Sequence, residues 1–356
     1  MAEPDLLTLI RSGHIAGATL DVFPTEPLPP HIERICAEPV EAEAIWFGDA
    51  RTTNERIPVM KAGTKKVDER YLLDVHLQLL LEDPWVDEDT ACRSLLSVIG
   101  SESVFPHQLT RHDLLSILSV DRNEQASIAS SLTAARENAR RVREIVSTEL
   151  WECLNTTRSR MPRKVSIDRA HDFFGWVRER TALAVGIVES STSRDEAWTF
   201  FTLGRSLERV DMTARLLATS ELTEASGPSW TTILRSCGAY EAYLRTYRGV
   251  PSATNAAEFL LLDRIFPRSV TFALSRAERC LNDLAPSSDR VGVSDAALRL
   301  ASQIRTNLEF RSAPDILANL TQEMVALQNG VSEISEAIGN RYFPANIMPT
   351  WVGEVS

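Results

Sequence analysis

Long apolar runs are missing from this sequence. None approaches the ~20 residues that a membrane-spanning helix requires, so the expectation is a protein without membrane segments. The opening Met1–Ile10 has no basic stretch before an apolar core, and no secretory leader is expected. Cysteine is scarce. Cys36, Cys92, Cys153, Cys237 and Cys280 are odd in number, and no pair has C-x-x-C spacing. That argues against a disulfide framework or a structural zinc site and for reduced thiols in a cytoplasmic protein. Positive charge is also in deficit. Lys plus Arg is 38 against 49 for Asp plus Glu, giving −11, which disfavours general nucleic-acid binding. The G-x-G-x-x-G, G-x-S-x-G, Walker A and H-E-x-x-H motifs are all absent.

Proline divides the chain. Seven of 17 prolines fall in residues 1–60 and only six lie between 107 and 343. Because Pro interrupts helices, the long remainder can be helical while the first sixty residues cannot be mainly so. Leu203, Leu207, Val210, Ala214 and Leu217 recur at helical spacing. So do Leu72, Val75, Leu79 and Leu80. Leu132, Ala135, Ala139, Val142, Val146 and Leu150 predict one helical stripe between Ser127 and Asn155, with Arg136, Arg140 and Arg143 on another face. Ser193, three residues before Glu196, has the spacing of a helix start. Residues 226–229 and 285–288 read as breaks. The expected fold is all-α: a bundle of long helices over 67–343, preceded by a short Pro-rich, irregular or partly extended segment (1–60) and followed by a tail (344–356).

The N-terminal segment reads Ser12-Gly13-His14-Ile15-Ala16-Gly17-Ala18-Thr19-Leu20-Asp21-Val22-Phe23, then Glu26-Pro27-Leu28-Pro29. Residues 5–30 thereby resemble a fragment of the D-isomer-specific 2-hydroxyacid dehydrogenases. The resemblance matches Asp21 to an Asp near the nicotinamide and Glu26 to the Glu that orients the catalytic His. His31 stands too close to Glu26 to be that His. A nucleotide site needs a strand–turn–helix unit with a pyrophosphate cradle. The segment therefore reads as an inactive relic, and no cofactor is expected.

The remainder carries a different set of strings. They include Ala134–Arg140, Ser147–Asn155, Ser193–Trp198, Leu203–Arg215, Leu234–Tyr243 and Glu258–Asp263 running into Phe266–Val270. Together they resemble the alpha-E domain family, a bacterial all-helical group, from about Leu72 to Tyr342. The resemblance implies a role beside ATP-grasp-like or transglutaminase-like proteins, in forming or modifying peptides or amides. Members begin with a helix whose start is matched here by Ala42–Trp46 and Gly48, while residues 49–70 depart from it.

Arg205, Glu208, Arg209 and Met212 share one side of a helix. Arg136 and Arg140 lie one turn apart, with Glu137 between them. Such residues suit a bidentate grip on a carboxylate or phosphate, and they equally suit ion pairs between packed helices. Arg194, Glu196 and Glu241 complete the ligand-binding candidates, with Glu208 the candidate acid or base. Glu149 and Glu152 are one turn apart beside Trp151 and Asn155, as paired carboxylates would be. No Glu has a His three residues on, and Asp168-x-x-His171 occurs once, so no metal site is expected. His76 and His171 read as structural or surface residues, and Trp151, Trp176, Trp198 and Trp230 as core residues. The functional expectation is an accessory component that binds a peptide or amino-acid-like ligand beside an ATP-grasp-type amide-forming system. The alternative is an enzyme acting on a peptide or amide through an Arg/Glu cluster.

Overall fold

A computed structural model describes residues 88–342, apart from 100, 102–104, 125, 142, 144–145, 219–229 and 287–291. The Pro-rich N-terminal segment with Asp21 and Glu26, the Leu72–Leu80 stripe and the C-terminal tail lie outside the described residues. Within them the chain is helical and contains no strand. The helices are α1 (Glu88–Ile99), α2 (Arg111–Val120), α3 (Ile128–Arg141), α4 (Thr148–Ser159), α5 (Ala170–Ser191), α6 (Glu196–Ala218) and α7 (Trp230–Ser236). They continue with α8 (Tyr240–Tyr247), α9 (Ala253–Leu262), α10 (Val270–Leu284), α11 (Ala296–Glu309), α12 (Ala313–Leu317) and α13 (Leu320–Tyr342). No described helix is long and apolar enough to cross a membrane.

Four helices close a ring in which α6 packs on α10, α10 on α11, α11 on α13 and α13 back on α6. Each contributes an apolar face at helical spacing. On α13 that face is Leu320, Met324, Leu327, Val331, Ile334 and Ile338, and on α10 it includes Val270, Ala273, Leu274, Ala277 and Leu281. Burying each such Leu, Ile or Met side chain contributes about 1.5–3 kcal/mol. Helix α6 is covered on all sides, with fourteen of its 23 residues buried, and is therefore the central element. Its expected stripe of Leu203, Leu207, Val210, Ala214 and Leu217 is buried throughout.

A side layer runs α2–α3–α4–α5. Its small core joins Ala139, Val146, Leu150 and Val188, with Trp151, Leu154, Trp198 and Phe201 packed against them. Trp176 and Trp230 pack on the main core. Two local readings differ from the structure. The helix expected through 127–155 is two helices, and Ser147 restarts the second by accepting from Leu150 N at 3.2 Å. The start of α6 is capped by Asp195, not Ser193: its Oδ1 accepts from Trp198 N at 3.1 Å.

Candidate functional site

The end of α5, the turn after it and the inner faces of α6 and α10 meet at Glu189. Its Oε1 accepts from Arg205 Nη1 on α6 at 3.2 Å and from Arg276 Nη2 on α10 at 3.3 Å. Its Oε2 accepts from Arg194 Nη1 at 3.2 Å, and its backbone carbonyl accepts from Arg194 Nη2 at 2.8 Å. Three guanidinium groups thus share one carboxylate. Arg205 is the most covered, its side chain 15% exposed, while Arg194 is 52% exposed. Arg194 also lies over the Trp198 ring, 4.3 Å from its centroid. The Trp198 indole N–H is buried and has no acceptor among the described residues.

A second polar group joins α3 and α4. Arg136 Nε donates to Asn155 Oδ1 at 2.8 Å, and the guanidinium lies 5.3 Å from the Trp151 centroid, with Arg143 at 5.4 Å from the same ring. Glu137 pairs with Arg140 at 2.5 Å and with Arg136 at 3.6 Å. That hydrogen bond holds the Arg140 guanidinium even more firmly charged than usual. Asn138, between them, is fully buried, and neither polar atom of its amide has a hydrogen-bond partner among the described residues. Glu149 and Glu152 are exposed on α4.

Around the middle of α6, Glu208 is buried at 5% exposure. Arg209 Nη1 donates to the Pro267 carbonyl at 3.3 Å, and Thr213 Oγ1 donates to the Arg268 carbonyl at 3.3 Å. These contacts tie the central helix to the turn before α10. Glu196 is exposed in the first turn of α6, Glu241 is exposed in the first turn of α8, and His171 is exposed near the start of α5. Arg305 bridges Glu278 on α10 to Glu309, which also pairs with Arg264 at 2.6 Å. Burial pushes the Cys92 and Cys280 thiols up to about 12, and Cys153 also rises by burial, so none of these is a poised nucleophile.

The candidates therefore fall into groups with different neighbours. Arg194 and Arg205 meet at Glu189, Arg136 with Glu137 and Arg140 sits at the α3–α4 contact, and Glu208 with Arg209 lies on the central helix. Glu189 and Arg276 complete the first group and were not among the residues singled out in the sequence. Their pairing spans 87 positions, and no local pattern marks it.

These features define an all-helical domain whose polar contacts between helices are built largely from arginine and carboxylate. The chain belongs to the Alpha-E family, described as a predicted alpha-helical domain with a conserved ER motif, whose model matches residues 70–343. Glu-Arg pairs occur in that span at Glu179-Arg180, Glu208-Arg209 and Glu278-Arg279. Comparison with curated proteins and with solved structures found no match.

Proposed function

We propose that this domain is a binding component rather than an enzyme. It recognises the anionic group of a peptide or amino-acid-like ligand and serves an amide-forming partner of the ATP-grasp type. One observation carries the binding half of this reading: three arginines from a turn and two different helices converge on the single carboxylate of Glu189. Planar guanidinium forks that converge from separate elements are suited to an anion. The partner half is supported by the family resemblance. In this reading residues 5–30 contribute no hydride transfer, and Glu208 is a structural residue of the central helix.

The test is recovery of the full chain from a native extract, beside an Arg205→Ala, Arg276→Ala variant of matched stability, with mass spectrometry of what each retains. The expected result is an ATP-grasp-like protein with the wild type, and an anionic ligand that the variant loses. Equal retention by both proteins, or nothing on either, overturns the reading. The enzyme alternative predicts instead that Glu208→Gln abolishes a turnover measurable with wild type.

A further inference from the structure

We infer that the turns carrying Val250, Ile265 and Phe310 dock the domain on an anionic membrane surface. These side chains are 89%, 84% and 85% exposed, and no other large apolar side chain among the described residues passes 48%. Contiguous exposed apolar groups mark a contact surface, whereas single ones scattered over a protein do not. These three belong together. Tyr247, three residues before Val250, meets Phe259 edge-on at 6.2 Å, and Phe259 stacks at 4.8 Å on Phe266, the neighbour of Ile265. On the other side of that turn, Arg264 pairs at 2.6 Å with Glu309, the neighbour of Phe310. Helix α9, which ends at the Ile265 turn, also packs on α12, which follows Phe310.

The three tips have a defined backbone. Asp263 Oδ1 accepts from the backbone N–H groups of Ile265 at 2.9 Å and Phe266 at 2.6 Å. Arg248 ends α8 in the left-handed region at φ 51°, and its N–H donates to the Leu244 carbonyl at 3.0 Å. The Phe310 N–H donates to the Thr306 carbonyl at 3.2 Å and closes α11. Polar residues form such turns equally well, so the turns themselves do not call for apolar side chains in water.

Charge selects the occupant. The carboxylates of these turns are engaged: Asp263 by the backbone, Glu309 by Arg264 and Arg305, and Asp315 by the Ser312 hydroxyl. Arg264 is 73% exposed, and Arg248 is exposed at the end of α8. Arginines beside apolar tips suit the phosphate edge of a bilayer, with the apolar groups entering the acyl boundary. Side chains this exposed stand proud of the surface and offer no groove to a partner helix, while a soft flat layer accepts them. With −11 overall, the chain can approach an anionic layer only with a cationic face leading. This surface shares no residue with the Glu189 cluster and stands without it.

Co-sedimentation of the full chain with vesicles tests the assignment, using mixed phosphatidylglycerol and phosphatidylcholine beside phosphatidylcholine alone. The mixed vesicles should bind at least about tenfold more strongly, and added salt should weaken that binding. Ile265→Ser and Phe310→Ser should each weaken it severalfold, and together by about tenfold or more, with thermal midpoints unchanged because both side chains are exposed. Arg264→Ala should weaken it about fivefold. Val325→Ser, at an exposed apolar position on α13, should change nothing. Equal binding to both vesicles overturns the anionic assignment, and binding indifferent to Ile265 and Phe310 overturns the location. No binding to either overturns the proposal. A concentration-dependent dimer in sedimentation velocity, lost in Phe310→Ser, would then make a second copy the occupant.

Discussion

Glu189 and Arg205 join α5 to the central helix α6 at 3.2 Å, and the carboxylate oxygen they share also receives Arg276 at 3.3 Å. Removing that carboxylate leaves three cations close together, one of them largely covered. Glu189→Ala should therefore destabilise the fold by about 1–2 kcal/mol, more than an ordinary exposed ion pair contributes. Added salt should narrow the loss by screening the repulsion. Urea midpoints of both proteins at low and high salt check this, and a loss independent of salt would assign the effect to packing.

Glu208 sits on the same helix, buried at 5% exposure among residues that face neighbours on every side. Glu208→Ala deletes a buried polar side chain and leaves space behind. It should cost about 1–3 kcal/mol, with Glu208→Gln costing less because the shape is kept. Equilibrium denaturation of the two variants measures the difference. Unchanged stability in both would return Glu208 to the list of residues held for chemistry.

Periodicity made α6 legible because a helix in the middle of a bundle repeats apolar residues over six turns. It failed at 142–147 for a physical reason. Val146 and Leu150 reach the same small core as Ala139, so the apolar stripe survives although the helix stops after Arg141 and restarts at Thr148. The β-branched Val146 disfavours helix there, and Ser147 caps the restart. At the site, Arg194 and Arg205 could be picked out as arginines beside or on a helix. Their shared carboxylate could not, because contact across helices leaves no mark in local spacing.

Gly186 tests how much backbone freedom α5 carries. It is exposed inside the helix, and an added Cβ would meet nothing within 4 Å. Gly186→Ala should stabilise by about 0.5–1 kcal/mol, since alanine loses less conformational entropy on folding. A higher thermal midpoint is the expected readout. No gain would mean that this segment of α5 frays in solution. Gly330 is the contrast: a Cβ there would come within 2.5 Å of Ile304 Cδ1, so the same substitution must displace a core side chain.

Cys92, Cys153, Cys237 and Cys280 are buried. Alkylation requires a thiolate, and burial raises the Cys92 and Cys280 thiols to about 12. At mildly alkaline pH the native protein should leave these four unmodified by iodoacetamide for hours, while urea should expose all of them together. Peptide mapping after timed labelling shows which cysteines react. Early labelling of one of the four would locate a segment that opens below the global unfolding free energy.

Arg311 and Glu323 give the acid response a defined local source. Two N–H donors of Arg311 reach the two carboxylate oxygens at 2.6 and 2.8 Å, linking the turn after α11 to the first turn of α13. The hydrogen bond from Arg311 holds the Glu323 carboxyl below its ordinary value of 4.5. A carboxyl that is more acidic in the folded state contributes stability above its unfolded pKa, and that contribution is lost as pH falls through the folded pKa. Both groups are about a third exposed, which keeps the contribution near ~1 kcal/mol even with bidentate geometry. Glu323→Gln should therefore be less stable than wild type at neutral pH, and the gap should close progressively as pH drops below 4.5. Urea denaturation of both proteins along a pH series measures that gap. A constant gap down to strongly acidic pH would show that Gln perturbs the turn by its shape and not by its missing charge.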